Sequence, residues 1–387
     1  MFRMVVGHSD DVDAAEAVAA VVAQCEAGLD GASPSAGLLF STFTHDAESV
    51  AAGFSDAFPA AEIIGSTSLG EMSSVMGFQE DSITLALFVT DDVDITAGLG
   101  TGISEDRDAA ARDAYEEAAG KTEREPRLCL ITPSVAGLPG ALLDSVRAAV
   151  GEGVTVVGGG AAPQAVSANP DSSRQFYNGR VVADAIPMLL FSGPLVFSFG
   201  LEAGWTPVGK PGTITRASGP IVQEIDGEPA LGFYERYLGA GTPPTSANPL
   251  AVFDGDAGDF YLRVAFAHEE EPGALFVAGE VPEGSRVQLT VAVTEEIFEG
   301  ARMAFQRALK AYPEGSTPGA ALLFSCAIRK FLLGTRTGRE FEIAQSELGT
   351  TMPICGFYSF GEIAPLEAGS PSRFHNETMV AVLLGTD

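Results

Sequence analysis

Gly37-Leu-Leu-Phe-Ser-Thr42 and Ala321-Leu-Leu-Phe-Ser-Cys326 repeat one short apolar pattern at two distant places in the chain. A helical stretch follows each. Ile64-Gly-Ser-Thr-Ser-Leu-Gly-Glu71 is then echoed by Ile354-Cys-Gly-Phe-Tyr-Ser-Phe-Gly-Glu-Ile363, and both copies end in a strand-like alternation, Ile83–Val89 and Thr378–Leu384. A weaker copy lies between them: Leu128-Cys-Leu-Ile-Thr132, Val156-Val-Gly-Gly-Gly160 and Val181–Phe191. Recurrence of strand, helix, strand, glycine turn and strand means that one α/β supersecondary unit is used repeatedly. The expected fold class is α/β, with repeated strand–helix–strand units forming two mixed-sheet domains. The glycine turn after the second strand falls where open α/β sheets form ligand crevices, which points to pockets between units.

Working outward, Met4–Gly7 reads as a strand. Asp13 and Glu16 form a capping box for a helix whose Ala14, Val18, Val21, Val22, Cys25 and Leu29 recur at helical spacing. Ser104, with Glu105 and Asp106 in the first turn, starts a further helix; Glu295–Lys310 is the strongest amphipathic pattern of the second half. Ile186–Trp205 is broken by Gly193, Pro194 and Gly200 and carries Glu202, so it reads as consecutive buried strands and not as a membrane span. Composition shifts to Gly, Pro and Thr around Gly204–Pro211, and the expected division is 1–205 and 206–387.

Composition narrows the function. Hydrophobic residues make up 46% of the 387 and charged residues 19%, which excludes a disordered acidic chain or a long coiled coil. The net charge of −30 repels phosphate backbones and anionic lipid, so neither nucleic acid nor a membrane is an expected partner. Only Lys121, Lys210, Lys310 and Lys330 are lysines, and scarce lysine on an acidic chain resembles the proteome of a salt-in halophile. Cys25, Cys129, Cys326 and Cys355 lack C-x2-4-C spacing, which speaks against a disulfide scaffold or tetrathiolate zinc. The opening Met1–His8 turns polar too soon for a signal peptide, and the expected location is the cytoplasm.

The candidate functional residues cluster at the repeated turns. Ser66, Thr67, Ser68 and Gly70 precede Glu71, as Tyr358, Ser359 and Gly361 precede Glu362. Hydroxyl and backbone donors on one rim, with a carboxylate beyond, could clasp an amino-acid-like zwitterion; the alternative is a turn whose glutamate caps backbone amides. Cys326 and Arg329 share a face just after a strand, as an inert buried thiol beside a carboxylate-pairing arginine or as a nucleophile that His375 would have to assist. In Arg373-Phe-His-Asn-Glu-Thr378, His375 could ligate haem iron or pair structurally with Asn376, which suits a turn. His8, His45 and His268 are isolated, which disfavours a zinc hydrolase. Gly98-Leu-Gly-Thr-Gly102 and Gly158-Gly-Gly-Ala-Ala162 match no nucleotide loop, and Asp254-Gly-Asp-Ala-Gly-Asp259 only superficially suggests a calcium loop.

Gly65-Ser-Thr-Ser-Leu-Gly-Glu71 resembles the signature of the amino-terminal FIST domain. Cys326-Ala-Ile-Arg329, Gly356-Phe-Tyr-Ser-Phe-Gly-Glu-Ile363 and Phe374-His-Asn-Glu-Thr378 together resemble that of the carboxy-terminal FIST domain. The resemblance spans roughly Ser35 to Leu384. It implies a non-catalytic sensory module that binds small ligands such as amino acids, and some relatives are haem proteins that sense nitric oxide. Carried onto this chain, the motifs nominate Cys326, Arg329, Tyr358, Glu362, His375 and Asn376, with Ser359, Thr67 and Glu71 added from the turns. Ile328 stands where the common form has glycine before the arginine, which narrows any pocket there. No cofactor is required by this reading, with haem as the alternative and a Cys326-dependent acyl-transfer enzyme a more distant one. No output segment follows before Asp387, so a separate signalling protein is the expected partner.

Overall fold

The computed structural model describes residues 2–135, 139–164, 172–253 and 258–386; the Asp254–Ala257 part of the acidic tract lies outside them. The first unit runs β1 (Phe2–Ser9), α1 (Ala14–Leu29), β2 (Ala36–Ser41), α2 (Ala47–Ala57), β3 (Glu62–Thr67), a hairpin of β4 (Glu71–Ser73) and β5 (Gly77–Gln79), and β6 (Ile83–Thr90). The second repeats this order as β7 (Asp94–Thr101), α3 (Arg107–Ala119), β8 (Pro126–Ile131), α4 (Pro139–Val150), β9 (Thr155–Gly159), the hairpin β10 (Gln175–Tyr177) and β11 (Arg180–Val182), and β12 (Ala185–Ser192).

The third unit opens with β13 (Val196–Glu202). An insertion follows, composed of β14 (Thr206–Ser218), β15 (Ile221–Ile225), β16 (Glu228–Pro229), α5 (Ala230–Leu238), β17 (Leu250–Phe253), β18 (Phe260–Arg263), β19 (Ala265–His268), β20 (Leu275–Val277) and β21 (Arg286–Val291). The unit then resumes with α6 (Thr294–Ala311), β22 (Ala320–Cys326), α7 (Ala327–Leu333), α8 (Gly338–Leu348), β23 (Ile354–Ser359), the hairpin β24 (Glu362–Pro365) and β25 (Ser372–His375), and β26 (Met379–Gly385).

Three six-stranded mixed sheets result, in the orders β1-β6-β2-β3-β10-β11, β7-β12-β8-β9-β24-β25 and β13-β26-β22-β23-β4-β5. In each, the first four strands belong to one unit and the last two are a hairpin lent by another. The second unit lends to the first, the third to the second and the first to the third, which closes a cycle. The insertion forms an eight-stranded sheet of its own. The repeated α/β units expected from the sequence echo are present, and strands from both sides of residue 205 share the second and third sheets.

The inner faces of the three sheets share one core, to which Phe40 and Phe88, Leu130 and Phe191, and Phe324 and Phe357 contribute from the three sheets in turn. Helices cover the outer faces. Aspartates start three of them: Asp13 accepts from Ala15 N and Glu16 N, Asp46 from Ser49 N, and Asp106 from Ala109 N. Ser104 thus lies outside its expected helix, where its hydroxyl donates to Asp184 at 2.7 Å. The glycines of Gly98–Gly102 lie along and just beyond β7, a strand that the alternation pattern does not reveal. A Cβ on Gly98 would stand 1.8 Å from the Ala114 carbonyl oxygen of α3, so glycine there lets helix and strand close up.

Backbone bonds at the ends of the second strands complete the cycle. Tyr358 N donates to Gly70 O and Phe360 N to Gly160 O, each at 2.9 Å, and Ala162 N donates to Thr67 O at 2.9 Å. Because each half of the chain completes a sheet of the other, residues 1–205 and 206–387 expressed alone should be insoluble or unfold without cooperativity. Co-expressed, they should copurify and regain a sharp thermal transition, measured by calorimetry.

Candidate functional site

Every nominated residue is buried: Thr67, Glu71, Cys326, Arg329, Tyr358, Ser359, Glu362, His375 and Asn376. They fall into two equivalent sets and a clamp. In the first set, Ser68 and Ser82 hydroxyls both donate to the Glu71 carboxylate, Ser82 being the residue immediately before β6. In the second, Ser359 Oγ donates to Glu362 Oε1 at 2.9 Å, and Thr378, immediately before β26, donates to Oε2 through its hydroxyl at 2.9 Å and its amide at 3.2 Å. Thr42 N donates to Ser82 O at 3.2 Å as Cys326 N does to Thr378 O at 3.1 Å, so Thr42 and Cys326 are counterparts. The second unit carries Gly160-Ala161-Ala162 at the same turn and has no such carboxylate.

Burial pushes both carboxyls up to about 8 against the hydroxyl bonds that oppose it. The Glu71 set continues through a histidine that sequence spacing left isolated. His8 Nε2 lies 2.9 Å from Ser82 Oγ and Nδ1 lies 2.7 Å from Ser73 Oγ. Burial lowers His8 to about 4, which keeps the ring neutral.

Arg329 forms the clamp. Its Nε and Nη2 bind Glu340 Oε1 at 3.0 and 2.6 Å, Nη2 reaches Ile297 O at 2.8 Å, and Nη1 donates to Ala203 O and, at 3.3 Å, to Glu377 O. Glu340 Oε2 accepts from Ser325 Oγ at 3.0 Å and Tyr358 OH at 2.6 Å. Burial beside Glu340 holds the Tyr358 phenol well above its usual range. The clamp joins β22, β23, α6, α7 and α8 and leaves neither member of the ion pair unpartnered. Glu340 was invisible as a site residue, although an acid four and eight places before Ala344 and Leu348 on a buried helical stripe was the available signal.

The remaining candidates separate. Thr67 Oγ1 donates to Ala162 O at 2.7 Å, within the backbone closure. His375 is the cross-strand partner of Glu362, but its Nε2 donates to Ala364 O at 2.9 Å, and burial lowers it to about 3. A macrocycle reaching this completely buried ring would have to displace the β24–β25 hairpin, so the surroundings of His375 do not fit a haem. Asn376 holds the insertion: its Oδ1 accepts from Val264 N at 3.2 Å and its Nδ2 donates to His375 O at 3.1 Å. Cys326 is raised well above a thiol's usual range by burial and the nearby Glu362, and stays a protonated thiol. Among the described residues, no group of three His, Cys, Asp or Glu could hold a metal.

One residue between the nominated ones lacks a partner. Glu377 takes the left-handed conformation (φ 59°), is completely buried, and neither carboxylate oxygen has a hydrogen-bond partner among the described residues. Burial, only partly countered by Arg329, raises its carboxyl well above the usual range, and its charge bears on Cys326 and Tyr234.

The chain is thus a repeated α/β protein whose turn motifs are buried as two equivalent hydroxyl–carboxyl sets, beside an Arg329–Glu340 clamp. Residues 35–228 match the FIST N domain and residues 230–365 the FIST C domain, and the chain belongs to the FIST family, whose domains serve as sensory modules. It is similar to an uncharacterized protein of Mycobacterium tuberculosis (27% identical over 178 residues, 43% of this chain and 45% of that protein). It is also similar to one of Mycobacterium bovis (26% over 183 residues, 43% and 45%). The chain thus matches about half the length of these curated relatives. Among solved structures it resembles a cyanuric acid hydrolase from A. caulinodans (TM-score 0.34, 8% identity, 100% and 99% of the two chains) and PurLQS from Thermotoga maritima (TM-score 0.25, 10% identity, 100% and 72%). Likenesses this remote carry nothing about activity.

Three stability predictions rest on these buried groups. Arg329→Ala strands Glu340 and should cost about 3–5 kcal/mol, whereas Tyr358→Phe removes one bond to that carboxylate and should cost about 1.5–3 kcal/mol; urea unfolding measures both. Glu71 keeps its proton in the folded chain up to about 8 but releases it near 4.5 when unfolded. Its contribution to stability therefore falls as pH rises through that window, by at most ~1.4 kcal/mol per pH unit. Glu71→Gln should lose that slope and gain on the parent between pH 5 and 8, with no further gain above about 8.

Proposed function

We propose that this chain is a non-catalytic cytoplasmic sensor of a small, ammonium-bearing metabolite of the amino-acid type, in a salt-rich cell, and that it signals through a separate protein. The ligand site is the hub around Glu377, with Glu362, Ser359, Cys326, Arg329, Tyr358 and Asn376 about it. The Glu71 and Thr67 turn is its counterpart in the first unit, and His375 frames the hub on β25. The observation that carries this reading is the Glu377 carboxylate, enclosed with two oxygens that no described residue engages. A buried carboxylate without partners is costly, and an ammonium group is the charge that relieves it. Binding ionises Glu377, so a proton leaves as the ligand enters. The Asn376–Val264 bond ties the insertion to the hub, and the proposed route of entry is the lifting of the insertion. No helix among the described residues is long and apolar enough to cross a membrane.

Titration calorimetry of the twenty L-amino acids in molar KCl tests the reading. At least one should give saturable heat that varies with the ionisation enthalpy of the buffer. Glu377→Gln should weaken it at least tenfold while unfolding cooperatively, and no amino acid should be consumed. A higher melting temperature in molar KCl than at low salt supports the salt-rich setting, because screening relieves the −30 charge. Heat that survives Glu377→Gln, or its absence together with a Soret band after expression with haem, would overturn the amino-acid reading.

A further inference from the structure

The three units start with equivalent edge strands, which side chains cap to different extents. On β1, Gln24 binds both sides of His8, accepting from its amide at 2.8 Å and donating to its carbonyl at 3.0 Å. On β7, Glu62 accepts from Ala97 N at 2.7 Å, Lys121 donates to Ala97 O at 2.8 Å, and Glu117 accepts from Leu99 N at 2.9 Å. On β7 such capping at successive outward residues hinders the addition of another strand, whereas on β1 it meets His8 alone. On β13, only the last outward carbonyl, Leu201 O, is taken, by Arg307 Nη1 at 3.1 Å. Outward groups alternate along an antiparallel strand, so the amides and carbonyls of Phe197 and Phe199 face the same way, and no described residue bonds them there.

This edge lies in a groove of about 450 Å³. Arg307 of α6, Pro313 just after it, Leu366 in the β24–β25 turn and Arg127 on β8 line it. Phe197 and Phe199 are half-buried. The groove brings two exposed arginines together in a chain of net charge −30; Arg307 pairs with Glu202 at 2.8 Å, whereas Arg127 has no partner among the described residues. Glu367, also exposed, lines the groove as well.

We propose that β13 receives an extended segment of a partner protein as an added strand, with an acidic residue of that segment seated on Arg127. Free backbone groups at alternate residues suit an extended main chain, the half-buried phenylalanines supply apolar contact, and the unpaired guanidinium selects a carboxylate. The edge groups of Phe197 and Phe199 are distinct from the Glu377 carboxylate, and the proposal does not invoke that group, although β13 leads on to Ala203, which Arg329 holds.

Selection of a displayed random heptapeptide library against the full chain, at 0.1 M and at 1 M KCl, tests the proposal. Enriched peptides should carry an acidic residue among alternating apolar ones and slow hydrogen exchange at the Phe197 and Phe199 amides. Arg127→Glu, an exposed change, should weaken them at least tenfold, and N-methylation of alternate peptide amides should do the same. No enrichment over Arg127→Glu, binding indifferent to N-methylation, or sedimentation showing that the chain pairs with itself through this edge would each overturn it.

Discussion

Each sheet of this protein is finished by a hairpin from another unit, and that exchange constrains everything else. A four-stranded unit on its own would leave the free side of β3, β9 or β23 as a row of unpaired amides and carbonyls. Lending β4–β5, β10–β11 and β24–β25 around a cycle covers all three at once. It also forces the ends of the second strands together, where Thr67, Gly160 and Tyr358 bond across units. The glycines of the echoed motif answer to this geometry. A Cβ on Gly65 would stand 1.7 Å from Leu39 O, and one on Gly356 would stand 2.4 Å from Leu323 O, so the parallel strands meet closely only with glycine there.

Polar residues enter the core by the same route. The lent hairpins begin at Glu71 and Glu362, and each glutamate closes back on a hydroxyl three residues earlier and on the one just before its unit's last strand. Each thereby fixes where the chain leaves its own sheet and where it returns. Replacing the pair with apolar residues would spare the desolvation cost but release that registration. The second unit, with Ala161 and Ala162 at its turn, relies on backbone bonds instead. Three copies of one topology therefore carry two polar anchors, and the asymmetry places the Arg329–Glu340 clamp and Glu377 in the third unit alone.

The repeat was legible because Leu-Leu-Phe-Ser and the Gly-Glu turns survive in two copies, and buried parallel strands allow little variation. The exchange was not, because strands as short as β4 and β24 carry no periodicity and the pairing they make is remote in sequence. β7 escaped because Gly98 and Gly100 remove the apolar alternation that marks a strand, for the sake of contact with α3. The motif residues were found as a group, but their burial was not foreseen: a polar motif beside glycine reads equally as a rim or as a sealed anchor. Glu377 was passed over because one acid among four polar neighbours has no pattern to set it apart.

The open edge of β13 follows from the insertion. In the first two units the helix after the edge strand comes directly, and residues on it or just beyond it (Gln24 of α1, Glu117 of α3 and then Lys121) turn back to cap part of that edge, His8 alone on β1. In the third unit residues 206–291 intervene, and α6 begins only after the insertion has returned. Its approach is fixed by Arg329, whose guanidinium binds Ala203 O before the insertion and Ile297 O after it. From that position α6 offers Arg307 to the last outward carbonyl of β13 and nothing to the preceding two residues. The clamp that secures the insertion thus also bears on how much of the β13 edge α6 reaches.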